Sequence, residues 1–316
     1  MKKFLLKIIL VVSIFILIDK VFGYILEYNR PTDYNLFLNS KLEFFKNTKP
    51  IDVLIIGDSH IADALDPRII ESHTNLKTFN LGIYHTSPFQ NYYITKAALE
   101  SLESKPKFIV LGTNPNMFEI ELSKGKYPPL ILPTMKSLEL VKNSKEGFDA
   151  SFFLSIVQEK YLFKSVLNNL LRKPSPPTRI IENVYNGHLK FFNQMPAAQW
   201  TNFVTIKESK LKKEQVEYFS KTIELALQYD IAVIIAHPPL YKENLIALSG
   251  TDSYKDFNYE INKLIKKYHL KTYYNYSYKD DTLLFHKQDF LNSTHLNHNG
   301  SLKFTNGFSD FLKSGK

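Results

Sequence analysis

Short apolar strands alternate with amphipathic helices along most of the chain, and this alternation restricts the fold more than any other feature. Ile51–Ile56 is a largely aliphatic run typical of a buried strand, and Ile61–Ser72 has apolar residues at helical spacing. Alternation at this spacing predicts βαβ units and a parallel sheet. Further strands are predicted at Lys77–Leu81, Lys107–Leu111, Ile231–Ala236 and Lys271–Tyr274, and further helices at Phe89–Leu102, Glu208–Tyr229, Tyr254–Tyr268 and Ser301–Leu312.

The alternation is interrupted between about residues 119 and 205. This segment contains the proline-rich run Lys173–Thr178 and a helix-like stretch at Ser151–Leu171. We interpret it as an insertion that caps or shapes a binding cleft, because long interruptions of this kind are usually functional. The sequence thus predicts one α/β domain at 51–316 that carries this insertion, preceded by a linker at 26–50.

The amino terminus predicts a membrane anchor at residues 1–25. Three lysines precede the uncharged apolar run Ile8–Ile18, and apolar residues continue with interruptions to Ile25. A segment of that length can cross a bilayer, and basic residues before it stay in the cytoplasm. We therefore expect a single-pass protein whose main domain is periplasmic or at the cell surface. A cleaved signal peptide is the alternative, although Asp19–Tyr24 is a poor cleavage site.

Composition excludes several classes of function. The chain of 316 residues has no cysteine, so thiol catalysis, disulfides and cysteine-based zinc sites are excluded. Its formal net charge is +9, which suits an anionic polymer or membrane surface. The lysines are scattered and no nucleic-acid-binding motif is present, so we expect no nucleic-acid partner.

The stretch Gly57-Asp58-Ser59-His60 follows the first predicted strand. Ser59 would lie at the carboxyl end of that strand, where open α/β sheets bind their ligands. A serine needs a histidine to remove its proton, and His295 follows the last predicted strand. The simpler explanation is that Gly-Asp-Ser makes a tight turn and caps the next helix.

Two other strand ends supply groups that an acyl-transfer site requires. Such a site needs hydrogen-bond donors for the developing oxyanion. The backbone amide of Gly82 can approach a substrate closely, and Asn114 can donate from its side-chain amide. Because carboxyl ends of parallel strands share one edge of a sheet, we expect these groups to converge with Ser59 and His295.

In these blocks the sequence resembles the SGNH (GDSL-like) hydrolase superfamily. The matching blocks, in order, are Gly57–His60, Gly82, Gly112–Asn114 and Asn292–Asn297. The resemblance implies a three-layer α/β/α sandwich with a central parallel sheet, of the flavodoxin-like type. It also implies Ser59 as nucleophile, His295 as general base, and an oxyanion hole formed by the backbone amide of Ser59 with Gly82 and Asn114.

One departure from the family pattern concerns the triad. Asn292 stands where the family usually has the aspartate that orients the histidine. Asparagine can accept from the ring N–H, but it brings no charge to stabilise the imidazolium. Asp289, three residues earlier, is the nearest carboxylate that could substitute.

Four nearby residues are assigned lesser roles. Asp58, His60 and His237 lie at the predicted strand ends and are candidates for substrate contact or support of the site. His298 follows His295 by three residues, but no dense carboxylate cluster accompanies the pair. We therefore expect neither a metal ion nor a cofactor.

The function predicted is acyl-ester chemistry on an acylated extracytoplasmic glycan, either hydrolysis or O-acyl transfer. By analogy with anchored SGNH-like proteins, a membrane-bound O-acyltransferase is an expected partner. The alternative is a weak or inactive SGNH-like module that binds a glycan or an export partner, and Asn292 is the residue that favours it.

Overall fold

Five parallel strands form the central sheet of the computed structural model, which describes residues 2–28, 32–46, 49–123, 125, 131–147, 181–191, 210–273 and 285–315. The described strands are β1 (Val53–Ile56), β2 (Thr78–Asn80), β3 (Phe108–Gly112), β4 (Ile181–Tyr185), β5 (His188–Phe191), β6 (Ala232–Ala236) and β7 (Lys271–Tyr273). All neighbouring strands of the central sheet pair in parallel, in the order β2-β1-β3-β6-β7. A separate antiparallel hairpin consists of β4 and β5.

The strand order reverses direction between β1 and β3. The chain first places β2 on one side of β1 and then adds β3, β6 and β7 on the other. Open α/β sheets bind ligands at the carboxyl ends of the strands at such a reversal. The parallel α/β fold predicted from the alternation is therefore confirmed, and its reversal lies where β1 delivers Ser59.

Helices cover both faces of the sheet. The described helices are α1 (Lys2–Tyr28), α2 (Thr32–Lys46), α3 (Ser59–Ala64), α4 (Pro67–Thr74), α5 (Pro88–Ser101), α6 (Thr134–Asn143), α7 (Lys213–Leu227), α8 (Lys242–Ser249), α9 (Asp252–Tyr268) and α10 (His298–Ser314). Helix α5 packs against α7, and α4 packs against α10. The right-handed crossovers expected between parallel strands put these two pairs on opposite faces.

Strand β1 is the centre of the hydrophobic core. All four of its residues are buried, as expected for a strand covered by helices on both faces. Ile61 of α3 and the aromatic residues Phe304 and Phe308 of α10 pack in the same core cluster. The apolar surface that they remove from water holds the start of α3 and the last helix of the chain together.

The single helix predicted at Ile61–Ser72 is divided in the structure. Pro67 has no backbone N–H to donate inside a helix, so the first helix ends before it. Pro67 lies at the first position of α4, where no such bond is needed. The Asp66 side chain caps this new helix by accepting from the backbone N–H of Arg68 at 3.0 Å. The predicted helix is therefore two helices, of which the first, α3, carries Ser59.

The predicted linker at 26–50 contains helix α2. Phe37, Lys41 and Phe44 are buried and lie at the i, i+4, i+7 spacing of one helix face. The Lys41 ammonium donates to the carbonyl oxygens of Asn80 and Gly187, at 2.7 and 2.6 Å. Burial lowers the pKa of Lys41 to about 7, since a low-dielectric interior penalises its charged form. The sequence did not predict α2, because the buried Lys41 interrupts the apolar pattern of its inner face.

Only parts of the predicted insertion at 119–205 are described. They include α6 and the β4–β5 hairpin. The hairpin contacts α3, since the His188 ring nitrogen Nδ1 lies 3.0 Å from the Ala62 carbonyl oxygen. The helix predicted at Ser151–Leu171 and the run Lys173–Thr178 lie outside the described residues. That the insertion caps a cleft stays a prediction.

The chain divides into two compact units. One comprises Phe37–Lys145 and Arg179–Lys316, and the other comprises Met1–Leu36 and Glu146–Thr178. The buried residues Phe37, Lys41 and Phe44 of α2 belong to the larger unit, and the domain boundary near residue 50 stays a prediction.

Helix α1 forms the amino-terminal part of the smaller unit. Within the part of the chain that the structure describes, no helix combines the length and the apolar character that crossing a membrane requires. The membrane-spanning anchor predicted at residues 1–25 is therefore not supported. Lys7 and Asp19 bound the apolar run Ile8–Ile18, which is shorter than the ~20 residues that a span needs.

Candidate active site

The turn after β1 places Ser59 at the first position of α3. Gly57 has a backbone φ of +152°, a conformation that L side chains rarely adopt, so glycine is required there. The Asp58 side chain then caps the helix by accepting from the backbone N–H of His60 at 3.0 Å. The tight turn and cap proposed as the simpler explanation are both present, and they also expose the Ser59 hydroxyl at the strand end.

His295 comes from the loop that precedes α10. Asn297 caps α10 and donates from its side chain to the carbonyl oxygen of Gln288 at 2.7 Å, which closes the loop. On α10, the hydroxyls of Ser301 and Thr305 donate to the carbonyl oxygen of Ala64, at 3.2 and 3.1 Å. These bonds join the end of α3, the helix that begins with Ser59, to α10, the helix that follows His295.

Ser59 and His295 form a hydrogen-bonded pair. The His295 Nε2 atom lies 2.8 Å from the Ser59 hydroxyl oxygen, within the range of a nucleophile and its general base. Both residues are half-buried, whereas the polar groups behind them are buried. The pair is therefore the part of the site that a substrate can reach.

Two oxygen atoms orient the other side of the His295 ring. Nδ1 lies 2.8 Å from the Thr294 hydroxyl and 3.1 Å from the Asn292 side-chain oxygen. That amide oxygen also accepts from the backbone N–H groups of Thr294 and His295, both at 2.9 Å. With acceptors on this side, the ring proton belongs on Nδ1, which leaves Nε2 able to take the proton of Ser59. The hydroxyl of Thr294 was not singled out in the sequence, because threonine beside a histidine has no distinctive pattern.

Replacing Asn292 by aspartate is expected to raise ester hydrolysis. An aspartate oxygen can accept the same hydrogen bonds, and its charge stabilises the imidazolium that forms as Ser59 attacks. We expect kcat on p-nitrophenyl acetate to rise roughly ten- to a thousandfold, within the ~10⁴-fold loss that the reverse change causes in a serine protease. Asn116→Asp, which adds the same charge at an exposed position, should leave kcat unchanged. An unchanged or lower rate in Asn292→Asp would show that the loop does not accept a carboxylate as a third catalytic group.

Asp289 does not replace the missing carboxylate. Its side chain is buried, and one of its oxygens accepts from the Lys303 ammonium at 2.7 Å and from the backbone N–H of His286 at 2.9 Å. These bonds turn Asp289 toward α10 and its own short helix. The contacts of Asp289 therefore give no evidence that this residue orients or stabilises His295.

Ser59 and Asn114 keep donors for an oxyanion. Ser59 occupies the first helical position, whose N–H makes no intrahelical bond. Asn114 donates one N–H to the Asp58 carboxylate at 2.6 Å. Among the described residues, the other atom near the Asn114 amide nitrogen is His60 Nδ1, at 3.1 Å. His60 Nδ1 cannot accept the second N–H while it donates its own proton to Asp58. The second N–H of Asn114 is thus left without an acceptor among the described residues, and the Asn114 side chain is buried.

The backbone N–H of Gly82, which was predicted to serve the oxyanion hole, already has a hydrogen-bond partner in this structure. It donates to the side-chain oxygen of Asn80 at 3.0 Å. The Asn80 amide in turn donates to three carbonyl oxygens of α3 and the residue after it, those of Ile61, Ala62 and Leu65, at 2.9–3.3 Å. Asn80 therefore takes the Gly82 amide and uses it to hold α3 in place.

Asp58 and His60 form a buried pair behind the catalytic residues. His60 Nδ1 lies 2.8 Å from the Asp58 carboxylate, and the His60 ring stacks on that of His295 with centroids 4.5 Å apart. Burial opposes ionisation of Asp58, but its hydrogen bonds and the nearby histidines outweigh burial and lower its pKa. Burial likewise opposes protonation of His60, but the charges of Asp58 and Asp63 raise its pKa.

His237 lies in the protein interior. Its Nδ1 atom is 2.7 Å from the Thr113 hydroxyl, and its ring meets that of Phe257 edge to face. Burial lowers the pKa of His237 to about 4, so the ring is neutral at physiological pH. A substrate contact for His237 is not supported, since the side chain is 2% exposed. Within the described ranges, no three ligating side chains are placed to hold a metal ion.

Comparison with known proteins finds similar solved structures. No protein-family model matches the chain, and no curated protein matches it in sequence. A GDSL-like lipase from Bacteroides thetaiotaomicron is 11% identical, with a TM-score of 0.42, over 89% of this chain and 100% of that one. A variant of the esterase AlinE4 is 14% identical, with a TM-score of 0.34, over 85% of this chain and 99% of that one. Because similarity at this level indicates no function for this chain, a functional assignment has to rest on the geometry around Ser59.

Proposed function

We propose that the chain catalyses acyl-ester chemistry with Ser59 as the nucleophile. The single observation that supports this most is the 2.8 Å hydrogen bond between the Ser59 hydroxyl and His295 Nε2. A serine hydroxyl hydrogen-bonded to an oriented imidazole is the arrangement that activates serine for attack on a carbonyl. The position of the pair at the strand reversal and its partial exposure agree with this role.

The proposed reaction has two stages. In the first, Ser59 Oγ bonds to the ester carbonyl carbon while its proton passes to His295 Nε2. The backbone N–H of Ser59 and the second N–H of Asn114 stabilise the oxyanion, and His295 returns the proton to the leaving alcohol. In the second, water or an acceptor hydroxyl attacks the carbonyl carbon of the acyl-serine and gives its proton to His295 Nε2. The bond from that carbon to Ser59 Oγ then breaks, and His295 returns the proton to Ser59. Water gives hydrolysis, and an acceptor hydroxyl gives acyl transfer.

Covalent labelling tests this proposal directly. A fluorophosphonate probe is an electrophile that traps an activated serine, so the folded full-length chain should be labelled in a 1:1 ratio. Mass spectrometry of the digested product should locate the probe on Ser59. Heat-denatured protein is the control and should not react, because the His295 contact is lost on unfolding. Absence of labelling in the folded chain would refute the serine mechanism.

We propose that the substrate is an O-acylated cell-envelope glycan outside the cytoplasm. We also propose that the chain acts on this glycan together with a membrane-bound O-acyltransferase. Support comes from the net charge of +9, which suits an anionic polymer, and from the exposed apolar side chains of α1, which suit a lipid-rich environment. Both acyl hydrolysis and acyl transfer fit this substrate.

A non-catalytic module that binds a glycan or an export partner is the second candidate. The observation that favours it is Asn292, which orients His295 without adding a negative charge. The labelling experiment separates the two candidates, because a binding module needs no activated serine and would stay unlabelled.

A further inference from the structure

We propose that Asp58 and His60 are positioning residues that supply His295 with the negative charge that Asn292 lacks. The inference rests on the proposed serine mechanism and adds to it a second support for the general base. It explains how a site with asparagine in the orienting position can stabilise the imidazolium. The support acts through ring stacking and charge, without a direct hydrogen bond to His295.

Hydrogen bonds hold the Asp58 carboxylate in a fixed geometry. One oxygen accepts from His60 Nδ1 at 2.8 Å and from Asn114 at 2.6 Å, and the other accepts from the His60 backbone at 3.0 Å. Three donors to a buried carboxylate keep it ionised and immobile. A full negative charge is therefore held behind the catalytic pair.

The rings of His60 and His295 are in contact. They are nearly parallel, at 18°, with centroids 4.5 Å apart. Because His60 is tied to Asp58 at one ring nitrogen, its ring has a fixed plane against which His295 packs. The Asp58 carboxylate also lies close enough to His295 to interact with its charge. A proton on His295 is therefore stabilised by Asp58 across the His60 ring.

The protonation state of His60 sets the net charge of the Asp58–His60 pair. Its Nδ1 proton points to Asp58, while Nε2 is buried and has no hydrogen-bond partner among the described residues. When His60 is neutral, the pair carries the net charge of Asp58. When His60 gains a second proton, the pair becomes neutral and a cation stacks on His295, so His295 becomes a weaker base. The charged groups that act on His60 are Asp58 and Asp63. The ring of His295 stacks on the His60 ring, and the uncharged Asn114 side chain lies 3.1 Å from His60 Nδ1.

The proposal predicts a pH dependence with a definite sign. The His60 pKa is raised, so His60 stays protonated at a pH where an ordinary histidine is neutral. As the pH is lowered, the rate should therefore fall when His60 takes up its proton. This fall should occur at a higher pH than protonation of His295 alone would cause. Removing the titrating group in His60→Gln should move the acid midpoint of kcat to lower pH, because protonation of His60 no longer contributes to the loss of rate.

The experiment measures kcat, KM and the pH profile of full-length wild type, His60→Gln and Asp58→Asn on one ester. Asparagine still caps α3, so Asp58→Asn should fold, and circular dichroism checks this. We expect Asp58→Asn to lower kcat about ten- to a hundredfold with KM within twofold, less than the ~10⁴-fold effect of losing a directly bonded carboxylate. His73→Gln, at an exposed position on α4, is the control and should change neither kcat nor the acid midpoint.

The outcomes distinguish this inference from the function on which it rests. If the wild type is not labelled by the fluorophosphonate, the serine mechanism itself fails. If the wild type is labelled and turns over, but both variants keep its kcat and acid midpoint, Asp58 and His60 only pack the site and the inference is overturned. A loss of stability with an unmoved pH midpoint would overturn it in the same way.

Discussion

Ser59→Ala is expected to lower ester hydrolysis at least a thousandfold. Removing the nucleophile of a complete serine-protease triad costs ~10⁶-fold in kcat, and replacing its aspartate by asparagine costs ~10⁴-fold. A site with Asn292 and no other charge would therefore have only ~10²-fold to lose. The Asp58 carboxylate should restore part of the catalysis that is lost by having asparagine at position 292. We therefore expect Ser59→Ala to lower kcat by ~10³-fold or more. The measurement is kcat on p-nitrophenyl acetate.

Two controls make this result specific. Ser72→Ala removes an exposed hydroxyl on α4 and should keep the wild-type rate. A double variant, Ser59→Ala with His295→Gln, should be no slower than Ser59→Ala alone, because residues that act as one unit have non-additive effects. A Ser59→Ala enzyme with wild-type turnover would exclude Ser59 as the nucleophile. Additive losses would show that His295 acts elsewhere.

Gly112→Ala is expected to destabilise the fold by about 3 kcal/mol, the upper part of the range for overpacked cores. A Cβ atom at position 112 would lie 2.3 Å from the Cβ atom of Ile61, and real Cβ atoms do not approach other atoms this closely. Ile61 is fully buried in α3, two residues after Ser59. The new methyl group must therefore displace the helix that carries the nucleophile. Urea denaturation measures the change in the free energy of unfolding.

Gly250→Ala is the matched control. Its Cβ atom would have no neighbour closer than 3.8 Å, and its backbone φ of −78° suits any residue. We expect its free energy of unfolding to stay within about 0.5 kcal/mol of the wild type, as for most surface substitutions. A similarly small change in Gly112→Ala would show that α3 can move away from β3 at little cost. In that case the contact with Ile61 would not be what positions Ser59.

Much of the fold follows from local periodicity. β1 and β3 are aliphatic runs, and the helices between strands repeat their apolar residues at helical spacing, so the parallel sheet could be predicted without coordinates. The expectation that Ser59 and His295 meet depended on a topological rule, that parallel strands end at one edge of a sheet. The structure places them 2.8 Å apart. Helix α2 was missed because a buried lysine breaks the apolar pattern of its inner face.

The donors around the site were harder to predict. Gly82 stands at a strand end, as an oxyanion residue should, but the Asn80 side chain folds back and takes its N–H. Asp289 is close to His295 in sequence, yet its carboxylate bonds to Lys303. In both cases a rotatable side chain chooses between partners, and backbone position alone does not decide the choice.

The sequence by itself determined the parallel α/β fold and the placement of Ser59 at the end of its first strand, because these depend on the order and periodicity of apolar residues. Only the tertiary structure decided which groups surround His295. Asn292 and Thr294 hold one edge of its ring, and the Asp58–His60 pair stacks on its face. Hydrogen-bond and stacking partners depend on side-chain rotamers and on elements more than 200 residues apart, which are specified only when α10 packs against α3.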